Sequence, residues 1–288
     1  MGSRGLRAAG VVSGGMRRAL VVAPVWAWLL LFVAAPVLIV AGLSFSTSVA
    51  GIPPFSPLLR DPDAGNYTVM TEDAFYLNAV FKSLVVAGVS SLGCLAVGYP
   101  MALAIARAGE RWRSLLLLLV MLPFWTGFLL RVTAWIGILR DGGWVDWGLG
   151  LVGLGPLRLL YTDAAMYIGI TYAYLPFMIL PLYARLSKRD AALEEAAADL
   201  GAGPWTVFRT VTWPLSVPGV VAGLALVFIP AVGEYVIPEL LGGPGAQTIG
   251  RALWNEFFSN HDWPMAAAVA TALLAVLLVP MAVLRARE

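Results

Sequence analysis

The sequence is short of charge. Only 12% of its 288 residues are Asp, Glu, Lys or Arg, against 60% hydrophobic. Soluble domains carry about 25% charged and about 45–50% apolar residues. The missing charge matters more than the apolar surplus, because a soluble surface needs charges to stay hydrated. A soluble globular chain is thereby excluded. A mean hydropathy of +0.82 points instead to a polytopic membrane protein, in which lipid takes the place of polar surface.

Other scarcities narrow the chemistry. A single cysteine, Cys94, excludes a disulfide framework and a cysteine-built metal site. The single histidine, His261, lies in a polar stretch, and metal centres need several donors, so no metal is expected. An intramembrane enzyme would need a nucleophile–base pair or a metal cluster, and the residues for either are nearly missing. No catalytic residue and no cofactor are therefore expected in this chain. There are two lysines, Lys82 and Lys188, and neither follows a glycine, so there is no GxxxxGK[ST] phosphate loop. If the protein works with ATP, then ATP and Mg belong to another subunit. Internal repeats and low-complexity linkers are also lacking, so residues 1–288 read as a single transmembrane domain. The lack of repeats weighs against a self-contained secondary transporter or channel, the alternative from another class. No nucleic-acid partner is expected.

What is present is a set of apolar runs. Six reach the roughly 20 residues that a bilayer crossing needs: 20–45, 79–106, 114–139, 164–186, 217–240 and 264–284. The expected architecture is all-α, a polytopic bundle of six transmembrane helices. The first run follows Arg4, Arg7, Arg17 and Arg18 and exceeds the roughly 7–15 residues of a signal-peptide core, so it reads as an uncleaved span. With residues 1–19 as a cytoplasmic tail, thirteen of the 19 basic residues fall on the inner side. They are those four, Arg107, Arg111, Arg113, Arg185, Lys188, Arg189, Arg209, Arg285 and Arg287. Excess Lys and Arg marks cytoplasmic loops. Both termini and the 187–216 loop are therefore expected inside. The outer loops carry Asp61, Asp63, Glu72, Asp73, Asp141, Asp146, Asp163, Glu256 and Asp262. They read as the mirror image of that bias, or as an acidic vestibule that concentrates a cation.

The 187–216 loop is polar and punctuated. Asp190 suits a helix N-cap. Glu194 and Glu195 follow near the start of that helix, where its dipole favours negative charge. Gly201 suits a left-handed stop, and Pro204 the first position of a second helix. Leu193, Ala196, Ala197 and Leu200 share one shallow face at 3–4 spacing. Such a face fits a groove on another protein, or it packs on the chain's own spans.

The order Glu195-Ala196-Ala197, three residues, Gly201, nine residues, Val211-Thr-Trp213-Pro214 resembles the EAA signature of bacterial ABC-importer permeases. Glu195, both alanines, Gly201 and Pro214 match that signature. Val211 stands for Ile and Trp213 for Leu. The segments 122–139, 172–183, 228–243 and 262–270 are similar to the permeases of polyamine importers, most of all the putrescine branch. The resemblance implies a type I ABC importer permease fold in the bacterial inner membrane. It also implies that the 187–216 loop is a coupling helix, with Glu194, Glu195, Ala196, Ala197, Asp199, Gly201 and Pro214 serving the ATPase. The implied partners are a paralogous second permease, two copies of a cytoplasmic ABC ATPase and a periplasmic polyamine-binding protein. The implied solute is putrescine, with spermidine or another small cation as alternatives.

Charges inside a span are costly and point to function. Arg131, Glu234 and Glu239 qualify. Glu234 lies beside Gly233, between Pro230 and Pro238, where a broken helix could line a cavity. Aromatic residues crowd the same segments. Cation–π contacts contribute about 0.5–2 kcal/mol each, weak enough for a solute to leave. The expected substrate path is Glu234 with Trp125, Tyr174, Tyr235 and Glu239. Arg131 reads as a gating residue or as half of an ion pair with Glu234.

Overall fold

A computed structural model describes residues 14–56, 62–154 and 157–285. Arg4, Arg7, Arg60, Asp61 and Arg287 lie outside them. The helices run α1 (14–43), α2 (Gly65–Glu72), α3 (Ala74–Arg107), α4 (Glu110–Met121), α5 (Phe128–Leu139), α6 (Trp144–Leu151), α7 (Asp163–Leu186), α8 (Ala191–Asp199), α9 (Pro204–Val232), α10 (Val236–Leu241), α11 (Ile249–Trp254) and α12 (Trp263–Arg285). Among the described residues, the only strand-like pairing is an isolated bridge between Ser48 and Phe55. The chain is all-α.

Four of these helices hold apolar stretches long enough to cross a bilayer: Val22–Leu43, Ala74–Arg107, Asp163–Leu186 and Pro204–Val232. A fifth crossing arises if Glu110–Trp125 and Phe128–Leu151 count as one span bent by 93°. The shorter apolar helix Trp263–Leu278 occupies the place of the sixth run. The third run is therefore not one straight helix. Pro123 lacks an amide, a short 3₁₀ turn covers Leu122–Trp125, and Thr126 is extended. Helix α5 then starts afresh, with Arg131 N–H bonded to Gly127 O at 3.2 Å.

Proline also shapes α1 and α9. Each contains one π-helical turn, Leu30–Ala34 and Phe208–Thr212, and each turn is followed two residues later by proline, Pro36 and Pro214. Proline cannot donate to the carbonyl four residues back, and its ring crowds that carbonyl. The ladder widens by one residue there, as in Trp213 N–H to Phe208 O.

The chain divides into two compact units. In the first, Met1–Val69 with Glu256–Glu288, α12 packs on the second half of α1. An apolar crevice of about 240 Å³ lies between Pro36, Val37, Val40 and Ala41 on α1 and Ala270, Thr271 and Leu274 on α12. The second unit, Met70–Asn255, is built on α3, α7 and α9 in mutual contact. Its core includes Cys94, Tyr99, Ala102 and Ile105 from α3, Met178, Ile179, Leu182 and Leu186 from α7, and Val220 and Val227 from α9. Lipid gives helices little hydrophobic reason to associate, so close packing of small residues has to do it. Gly223 shows how close: a Cβ there would sit 2.7 Å from Met178 Sδ and 3.3 Å from Met178 O. At one end of α3 and α7, Lys82 donates to Asp163 at 2.5 Å. At the other end of α3, Arg113 donates to the carbonyl of Ala106 in the last turn and to that of Ala108, the residue after it.

Candidate functional site

The first candidate region is the loop around α8. Asp190 caps the helix, its carboxylate accepting from Ala192 N–H at 3.0 Å. Gly201 takes φ +87°. Its N–H bonds to Ala198 O, and Ala202 N–H bonds to Ala197 O. That pair of bonds is a Schellman stop, which satisfies the last helical carbonyls. Pro204 opens α9 in its first turn. The result is a nine-residue helix held at both ends.

Its outward face is uncovered in this chain. Leu193 is 50% exposed and Leu200 89% exposed. Glu195, Ala196 and Asp199 are also exposed, and Ala197 is half-buried. Glu194 points the other way. It accepts from Arg189 Nη1 at 2.5 Å and Thr212 Oγ1 at 2.6 Å, and faces Arg107 Nη2 at 3.4 Å. Sequence alone did not indicate these partners. Arg107 is 87 residues away, although the basic-residue pattern assigns it to the same side as the loop.

Trp213 and Pro214 directly follow the π-helical turn of α9. Trp213 joins a ring cluster in which Tyr99 lies 5.3 Å from Trp213 and 5.8 Å from Phe208, while Trp205 stacks on Phe208. Tyr99 Oη also meets Ser216 Oγ at 2.9 Å. The large ring in the place of the signature's Leu thus packs one side against Tyr99 of α3 and stays 37% exposed on the other.

The second candidate region surrounds the break between α9 and α10. Gly233, Glu234 and Tyr235 leave the helix before α10 begins. Gly250 at the head of α11 presses on this break. A Cβ there would sit 2.6 Å from Gly233 O and 2.7 Å from Glu234 O. Glu234 is only 8% exposed. Its Oε1 accepts from the amides of Val236 at 2.9 Å and Ile237 at 3.4 Å, and its Oε2 accepts from Tyr174 Oη at 2.5 Å. The carboxylate therefore caps α10 while it holds the hydroxyl of α7.

Arg131 does not form the ion pair with Glu234. Its guanidinium lies 5.1 Å from the Phe124 ring centre and 5.7 Å from that of Phe128. Among the described residues no carboxylate is within ion-pair reach of it, and its buried Nε has no hydrogen-bond partner. The physical reason is a series of rings between the two charges. Phe124 meets Phe177 at 5.3 Å, Phe177 meets Tyr174 at 6.0 Å, and Tyr174 bonds Glu234. The series joins the broken third span to the break after α9, with α7 as its anchor. Arg131 also lines a cleft of about 320 Å³ with Thr126, Leu130, Ala134, Trp135, Ile138 and Tyr172.

The remaining path candidates have other partners. Tyr235 stacks on Trp254 at 4.3 Å, and Glu239 pairs with Arg251 at 2.8 Å. Trp125, at the break in the third span, is 82% exposed. Among the described residues no cluster of His, Cys, Asp and Glu could hold a metal ion.

Comparison with known proteins gives the context. Residues 94–285 match the family described as binding-protein-dependent transport system inner membrane component. The spermidine/putrescine transport system permease protein PotB of Haemophilus influenzae is 38% identical over 262 residues, covering 89% of this chain and 90% of that protein. PotB of Escherichia coli K12 is 37% identical over 252 residues, covering 87% and 90%. A solved bacterial ABC transporter that imports the acidic polysaccharide alginate has the same fold, with a TM-score of 0.68 at 18% identity over 92% of this chain and 93% of that one. The all-α build and long apolar helices agree with these matches, and the chain belongs to the inner-membrane permease components of binding-protein-dependent ABC importers.

Proposed function

We propose that this chain is the permease subunit of an ATP-driven polyamine importer and forms half of its pore. The similarity to the PotB permeases, which runs along most of both chains, carries the reading. A paralogous permease would supply the other half, two ATPase copies the energy, and a periplasmic binding protein the solute. Both termini and α8 would face the cytoplasm, in keeping with the basic residues at Arg107, Arg113, Arg185, Lys188, Arg189 and Arg209.

Two physical features support the details. The exposed small-residue face of α8, with Glu195, Ala196 and Leu200, suits docking in an ATPase cleft. A helix capped at both ends transmits a push better than a frayed one. In the membrane, Glu234, Tyr174 and the rings beyond them offer a carboxylate and aromatic faces to a passing ammonium group. Trp125, Tyr235 and Glu239 extend the same chemistry along the proposed path. Arg131, held on Phe124 and Phe128, would keep the rings in place or gate them. Putrescine is the solute we favour.

The test is uptake of labelled putrescine and labelled spermidine in a strain lacking this gene, with and without the gene restored. Restored uptake of putrescine, with weaker uptake of spermidine, is expected. Restored uptake of spermidine alone would reverse the choice of solute. Uptake of both unchanged by the deletion would remove the polyamine reading.

A further inference from the structure

The best-connected carboxylate around α8 is not Glu195 of the signature but its neighbour Glu194. Its side chain is 19% exposed and that of Arg189 is 12% exposed, so this contact is largely shielded from water, while Arg107, at 3.4 Å, is 52% exposed and reaches Glu194 from the surface. The three partners come from three places. Arg107 is the last residue of α3, Arg189 lies in the link from α7, and Thr212 ends the π-helical turn of α9.

We propose that Glu194 is a positioning residue that clamps α8 to α3 and α9, so that a push on α8 moves both helices together. The proposal rests on the coupling role proposed for α8. Without the clamp, α8 hangs on two short links, 187–190 and 200–203. A push would then tilt the helix about those links rather than move the bundle. With it, one arm reaches the end of α3 through Arg107. The other reaches α9 through Thr212, at the turn where the helical ladder is already widened. Two turns back along α3, Tyr99 is bound to Ser216 and packed on Trp213 of α9. The clamp and the ring cluster thus close a frame of α3, α8 and α9. The docking face is separate. Leu193 and Leu200 are exposed, while Glu194 points inward, so neutralising Glu194 leaves that face in place.

The experiment uses the whole importer, purified through this chain and reconstituted in vesicles, with ATP hydrolysis and labelled putrescine uptake measured together. Wild type, E194Q, T212V and the double variant are compared. E194Q is expected to keep its ATPase subunits while solute moved per ATP falls about tenfold or more, the scale of one lost charge-assisted hydrogen bond. T212V falls less, and adds nothing in the E194Q background, because both changes cut the same arm. T212V alone carries the expectation if E194Q does not accumulate. An unchanged ratio of solute to ATP in both variants overturns the clamp while leaving the coupling role standing. Loss of ATPase subunits from E194Q also overturns it, since Glu194 would then be a docking residue. A wild-type chain that purifies with no ATPase overturns the coupling role and the clamp with it.

Discussion

A pair of substitutions can separate the structural role of Glu234 from the transport role proposed for it. In the folded chain its carboxylate accepts from two backbone amides and from Tyr174 Oη. In transport it is proposed to meet the solute's ammonium. Glu234→Gln keeps one oxygen for the amides, and its NH₂ can donate to Tyr174. It exchanges charge-assisted bonds for neutral ones, a loss of about 1–3 kcal/mol. Glu234→Ala leaves the half-buried Tyr174 hydroxyl and Val236 amide and the buried Ile237 amide without this partner, which costs about 3–9 kcal/mol at about 1–3 per group. Thermal melting in detergent should therefore drop slightly for Gln and strongly for Ala. Uptake should behave differently. Two unit charges 4 Å apart at an effective dielectric of 20 attract by about 4 kcal/mol, so losing even a third of that lowers uptake about tenfold. Glu234→Gln is thus expected to assemble, melt a few degrees below wild type and well above Glu234→Ala, and transport poorly. If Glu234→Gln transported normally and only Glu234→Ala failed, the carboxylate would be a helix cap and nothing more.

Three further substitutions test other parts of the account. Gly201→Val forces a β-branched residue to φ +87°, a strain of about 1–3 kcal/mol; the ATPase recovered with the chain should fall while the amount of folded chain holds, and unchanged recovery would show the Schellman stop to be dispensable. Gly250→Ala places a methyl 2.6 Å from Gly233 O, and overpacking of about 1–3 kcal/mol should lower the melting temperature; melting at the wild-type temperature would refute the close contact of α11 with the break. Trp213→Leu restores the signature residue but removes the ring contact with Tyr99, so a loss of about 0.5–1.5 kcal/mol in stability with near-normal uptake is expected; abolished uptake would give Trp213 a role beyond packing.

Much of this was readable in the chain because its causes are local. Asp190, Gly201 and Pro204 act on amides and carbonyls within a few residues, and each takes its expected place. Apolar length likewise marks where spans run. It does not set their direction: Pro123 marks where the third run can bend, but not that the bend reaches 93°. The partners of Glu194 and Arg131 were hidden for a different reason. Arg107 and Glu194 meet across 87 residues, and Tyr174 and Glu234 across 60. Only the packing of α3, α7 and α9 brings them together. Arg131 and Glu234 invited pairing on charge alone, and the ring series that occupies their place depends on Phe177, a residue with no local signal of function.

The central claim is that ATP energy enters this chain at α8 from a separate cytoplasmic subunit. A single cysteine at Leu200, which is 89% exposed, tests it in a Cys94→Ala background. In native membranes this cysteine should cross-link to the ATPase, and in intact cells it should resist a membrane-impermeant maleimide. Labelling of Leu200→Cys from outside intact cells, with no ATPase adduct, would contradict the account.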